Sequence, residues 1–273
     1  MIRGTRPQQS GFTIVEVIIF LAVSIALVAS AVALFSTRIP KTQFSQSLNE
    51  LDIKLKSVGN DVLNGYYPSS GNISCSAAGN ISSSPADQGT NASCVFLGRA
   101  IQFGDKSNCD ISECDQFRIY TVYGLRQNGG NVVTSLDEAA PKITDLNVEA
   151  YTTGFGLHVT KVLGAGNGVA YLSTFGSRPA NVVDAAPSGA SQVELRPLTV
   201  NGGNFGLPED LFGDNSPLAP GELGGANPAA GVRLCLKSGT SKQFAILTLG
   251  EAGRPLSNKT EVLSELAWSA QCS

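Results

Sequence analysis

Glu16 is the only charge in the stretch "GFTIVEVIIFLAVSIALVASAVALF", residues 11–35, and the next charge is Arg38. The uncharged run from Val17 to Thr37, at about 1.5 Å per residue, makes a helix of about 30 Å, the thickness of a bilayer core. A carboxylate inside such a segment costs on the order of 3 kcal/mol, and a cationic partner offsets that cost. Position alone leaves two roles open to Glu16: an interfacial group at headgroup level, or a functional acceptor for a cation.

The other residues that carry chemistry are few. His158 is the only histidine, so no multi-histidine metal site exists. It falls in an alternating strand pattern, where a structural role is expected, although a Ser–His–Asp set using it stays open. There is no G-x-S-x-G, H-E-x-x-H, Walker loop or G-x-G-x-x-G, and no enzyme activity is expected. Six cysteines, Cys75, Cys94, Cys109, Cys114, Cys235 and Cys272, all follow the apolar run. An even number outside the cytoplasm reads as disulfides, with 15 connectivities open to six cysteines. Short spacing favours Cys109–Cys114 and Cys75–Cys94, which leaves Cys235 with Cys272. No CxxC pair supports zinc, no EF-hand spacing supports calcium, and no cofactor is expected. Asn72, Asn80, Asn91 and Asn258 open N-x-[ST] sequons, which matter only in a host that glycosylates them.

The elements around Glu16 place it. Ahead of the run stands "MIRGTRPQQSG", with Arg3 and Arg6 and no acid. Basic residues on that side keep it in the cytoplasm and send the rest outward, an argument that Arg38 and Lys41 on the far flank weaken slightly. A secretory signal peptide has a shorter apolar stretch and a small-residue cleavage site after it. Here the apolar stretch is longer and the glycine precedes it.

Basic leader, Gly11, Phe12, Thr13, Ile14, Val15, Glu16 and an apolar helix together resemble the type IV prepilins and the pseudopilins of type II secretion systems. The resemblance covers residues 1 to about 65 and is faint beyond. It implies that a membrane-embedded prepilin peptidase cuts between Gly11 and Phe12 and methylates the new amine of Phe12. Glycine suits the scissile position because its backbone, lacking a Cβ, can extend into a narrow site. It also implies that Glu16 pairs with the N-terminal amine of a neighbouring subunit during assembly, so the unfavourable carboxylate becomes a register-setting contact.

Beyond the span, Pro40 is expected to kink or restart the helix. Phe44, Leu48, Leu51, Leu55, Val58 and Val62 then recur as an amphipathic stripe, with Glu50 and Lys54 as an i, i+4 pair on another face. Asn64-Gly65 is a stop signal. The remaining chain reads as strands at 94–103, 116–125, 156–163, 169–175 and 193–200, a hairpin over 232–249, and a final strand or short helix before Cys272. "GNIS" at 71–74 and 79–82 does not amount to a structural repeat. Residues 201–230, rich in glycine and proline, read as a long surface loop in which Phe205, Phe212, Glu209, Asp210 and Asp214 offer a contact surface.

The expected fold is α+β, a long N-terminal helix packed on an antiparallel β head in the lollipop form of pilins. Its parts are a leader (1–11), a transmembrane and amphipathic helix (12–64) and an extracytoplasmic, disulfide-bonded head (65–273). The formal charge of −3 is carried by scattered groups with an acidic pI of 5.3, and no nucleic-acid partner is supported. The expected role is a structural subunit, a minor or large pilin, of a type IV pilus-like filament that contributes to attachment or motility. A type II secretion pseudopilin is the first alternative, and a single-span anchor for an extracellular enzyme or receptor the second. A lipoprotein-like module lacks its lipobox cysteine. The partners implied by the resemblance are the prepilin peptidase, other pilin subunits, and the assembly platform with its ATPase. The chain is expected in the cytoplasmic membrane before assembly and in a surface filament afterwards.

Overall fold

A computed structural model of the chain describes residues 13–65, 73–75, 81–83, 94–103, 115–163, 168–173, 193–198, 224–226 and 228–272. Its first element is a single helix, α1 (Ile14–Leu63), with Pro40 inside it. The expected kink or restart is not an element boundary: helical structure runs on through the proline. Pro40 donates nothing to the carbonyl four residues back. Two residues on, the Thr42 hydroxyl donates to the Arg38 carbonyl at 3.2 Å. The helix ends where the stop signal stands. Gly65 adopts φ 66° and its N–H donates to the Val62 carbonyl at 3.1 Å, a termination that glycine makes without steric cost.

The chain divides into two compact units, Met1–Thr42 and Gln43–Ser273, so the second half of α1 belongs to the unit that holds the sheets. In the first unit, Ile14–Val32 is long and apolar enough to cross a membrane, and none of it is buried in the protein. Its described large side chains, among them Ile14, Phe20, Leu27 and Phe35, are exposed. Such a surface is stable in hydrocarbon and unfavourable in water.

In the second unit, the described residues form thirteen strands in chain order. They are β1 (Ile73–Cys75), β2 (Ile81–Ser83), β3 (Cys94–Phe103), β4 (Gln116–Leu125), β5 (Gln127–Asn128), β6 (Asn131–Val132) and β7 (Lys142–Thr152), then β8 (Leu157–Leu163), β9 (Gly168–Ser173), β10 (Val193–Leu198), β11 (Val232–Ser238), β12 (Phe244–Leu249) and β13 (Asn258–Leu263). A short helix, α2 (Glu265–Cys272), closes the described chain. The strands form an antiparallel sheet in the order β10-β9-β3-β4-β7, another in the order β13-β12-β11-β8, and two small ladders, β1-β2 and β5-β6. The fold therefore mixes helix with antiparallel sheet and opens on an apolar helix.

The stripe on α1 is buried in full: Phe44, Leu48, Leu51, Leu55, Val58 and Val62 share one core with Ile101, Phe117 and Tyr171 of the larger sheet and Val159, Leu234 and Leu247 of the smaller. Each such side chain contributes about 1.5–3 kcal/mol by leaving water. The far face of the larger sheet is also buried, in a second core where Leu136 and Ala139 join Ala100, Tyr120 and Val122. The two "GNIS" segments contribute the facing strands β1 and β2, with Ser74 opposite Ser82. They are a local ladder rather than a repeat architecture.

Candidate functional site

At its start, α1 is capped by Thr13, whose hydroxyl accepts the Glu16 N–H at 3.3 Å. Threonine at the cap with glutamate three residues on is the arrangement that satisfies the free N–H groups of a first helical turn. Glu16 itself is exposed, and its carboxylate, near the positive end of the helix dipole, stands open to a cation. Gly11 and Phe12, the residues at the expected cleavage point, lie outside the described residues. The cap role at the helix start belongs to Thr13, and the Glu16 side chain is left exposed beside it.

Where the second half of α1 meets the sheets, a charged seam runs beside the stripe. Arg99 of β3 is 1% exposed and stands among the largest fully buried side chains of the described residues. Its guanidinium donates to Glu149 of β7 at 2.5 Å and lies 3.8 Å from Asp61 of α1. Lys54 of α1 also reaches Glu149, at 3.4 Å, and sits 5.7 Å from the centre of the Tyr151 ring. The expected Glu50–Lys54 pair is therefore corrected. β7 brings a carboxylate that already faces Arg99, Lys54 turns to it, and Glu50 accepts instead from Gln46 at 2.9 Å. The i, i+4 ion pair on this helix is Asp52–Lys56, at 2.7 Å. The other oxygen of Asp52 accepts from Asn258 of β13 at 2.8 Å. The sequon asparagine thus uses its amide nitrogen, the atom that would carry a glycan, to hold β13 to the helix.

Two carboxylates of the seam shift in opposite directions. Burial pushes Asp61 above its ordinary 3.8, and the charge of Arg99 only partly offsets that. Burial pushes Glu149 up as well, but the hydrogen bond and charge of Arg99, with Lys54, outweigh it and hold the group below 4.5. The arrangement is that of a joint between helix and sheet. Arg99 Nε is buried without a partner among the described residues, yet no cluster of His, Cys, Asp and Glu among those residues could hold a metal ion.

Cys235 and Cys272, the pair left over when short spacing favoured the other two pairings, form a disulfide that ties β11 to the end of α2. Trp268 of α2 packs its ring on Phe244 of β12 at 5.0 Å, beside the buried bond. Cys75 lies in β1 and Cys94 opens β3, with their side chains outside the described set; Cys109 and Cys114 lie outside the described residues. So do residues 201–223, with Phe205, Glu209, Asp210, Phe212 and Asp214, and the sequons at Asn72, Asn80 and Asn91 fall there in whole or part. His158 sits in β8, and its Nδ1 is buried with no partner among the described residues.

The sequence reading missed Arg99 and Glu149. The signal available was an arginine inside the apolar run "CVFLGRAIQF", since an interior charge in a buried strand requires a counter-ion. No protein-family model, no curated protein and no solved structure matches the chain.

Proposed function

We propose that the chain is a structural subunit, a minor or large pilin, of a type IV pilus-like filament, cut between Gly11 and Phe12 and contributing to attachment or motility. The observation that carries this reading is the order of parts: Gly11, Phe12 and Glu16 directly ahead of an exposed apolar helix that continues into the core of a disulfide-bonded β head. An apolar helix that only anchored a soluble domain would have no need of a carboxylate at its membrane edge, whereas a polymerising helix uses one to register against the amine of the next subunit. Thr13 caps the helix two residues after Gly11 in the sequence, so cleavage there would leave a single residue ahead of the cap.

The subunit then waits in the cytoplasmic membrane with its N-terminus inside, and leaves it for the filament through the platform and ATPase that drive assembly. The deciding experiment is N-terminal peptide analysis of protein purified from membranes with active peptidase. A methylated Phe12 is expected; a chain that still begins at Met1 or Ile2 overturns the reading. A secretion pseudopilus would use the same processing. Deletion of the gene, scored together for surface filaments, attachment and exoprotein release, assigns the filament: lost filaments or attachment with normal secretion supports the pilus, and the reverse supports the pseudopilus.

A further inference from the structure

Each of the two large sheets ends in two edge strands, and an unpaired edge is a template for another strand. Three of these edges are blunted. β10 carries Pro197, whose carbonyl accepts the Gly224 N–H at 2.9 Å. The β4–β7 and β11–β8 ladders are each broken by a register shift, and such irregularities turn an edge away from a partner. Among the described residues, β13 has none of these devices. Its ladder with β12 runs without a shift from Asn258 to Leu263, and Lys259, Thr260, Glu261 and Val262 are all exposed.

A lysine on an edge ordinarily guards it against pairing. Here Lys259 and Glu261 share one face of β13, 2.7 Å apart. In an antiparallel pairing of two β13 strands centred on Thr260, Lys259 falls opposite Glu261 of the second copy and Glu261 opposite its Lys259. Opposite charges facing across strands are stabilising, so the guard is self-complementary. Glu251, 3.7 Å from Lys259, is the other charged group beside this face and stays with its own chain. On the opposite face the same register sets Val262, 66% exposed, against Asn258 of the second copy.

We propose that β13 is a self-pairing edge, through which two copies of this chain form an isologous dimer with its two-fold axis at Thr260. A contact of this symmetry closes at two copies and cannot propagate. It is therefore not a contact that could by itself propagate a filament.

The test uses the full chain in native membranes. Facing Cα atoms of an antiparallel pair stand about 4.5–5.5 Å apart, within the span of a disulfide. Thr260→Cys should therefore give disulfide-linked dimer as the main product of mild oxidation. Val262→Cys, exposed on the same face but displaced from its own copy in this register, should give little. In the Thr260→Cys background, Glu261→Lys sets lysine against lysine and should lower cross-linking about tenfold; adding Lys259→Glu restores the match and the yield. Absent cross-linking at 260, equal yields at 260 and 262, or failure of the double reversal to rescue would each overturn the proposal. An uncut N-terminus would sink the filament reading and leave this dimer standing.

Discussion

A guanidinium taken out of water stays charged, so Arg99 obliges the fold to bring carboxylates to it. Glu149 answers at 2.5 Å and Asp61 from 3.8 Å. Glu149→Gln should destabilise the protein by about 1–2 kcal/mol in denaturant unfolding, a range held down by the partial exposure of the glutamate. The acid dependence follows from the two shifts. Glu149 titrates below its ordinary value in the fold, so its stabilisation is present above 4.5 and is lost as pH falls through the lower folded value. Asp61 titrates above its ordinary value, so its contribution is present below 3.8 and is lost as pH rises through the higher folded value. Unfolding followed against pH should therefore show Glu149→Gln with a shallower loss of stability in acid. Asp61→Asn should show a steeper loss, and neither change in slope would appear if the seam were solvated. Glu16 was legible in the sequence because its cost is local: one charge beside an apolar run. Arg99 was not, because its partners come from β7 and from a helix far off in the chain.

Elements were legible in proportion to how regular their pattern was. The α1 stripe repeats without a fault, and all six of its positions are buried. β3 and β4 span 94–103 and 116–125, the segments read from their dense β-branched and aromatic residues. β7 escaped notice because "KITDLNVEAYT" holds Asp145, Asn147 and Glu149, poor strand formers, and because a register shift against β4 breaks its alternation. The "strand or short helix" ahead of Cys272 is both, β13 then α2, with the Ser264 hydroxyl accepting the Ala267 N–H at 3.4 Å at the changeover. Two outcomes follow at this scale. Replacing Cys235 and Cys272 by alanine opens a loop with a sequence separation of 37, and chain entropy puts the loss at about 4 kcal/mol, measurable as a lower denaturation midpoint. Gly98, at φ 155° beside the β3 shift, leaves no room for a side chain: a Cβ there would lie 2.0 Å from the Tyr171 carbonyl oxygen. Gly98→Ala should push β3 off β9 and cost at least about 2 kcal/mol, read from thermal unfolding.

For the whole molecule, the helix is the one element that both compact units share. If the chain is a filament subunit, Glu16→Ala should leave cleavage and membrane insertion unchanged while depleting the sheared surface fraction of this protein. Undiminished incorporation would make the carboxylate an interfacial group only. The shared helix also has a mechanical meaning. A pull along its axis loads the head in shear, across a stripe from Phe44 to Val62 in which every contact must slip at once. Peeling, by contrast, would break contacts one after another at far lower force. Lys54 with Glu149 and Asp52 with Asn258 act as lateral stays against that slip. Under tension, a head built this way should detach from its own helix only after weaker attachments elsewhere along the line have failed.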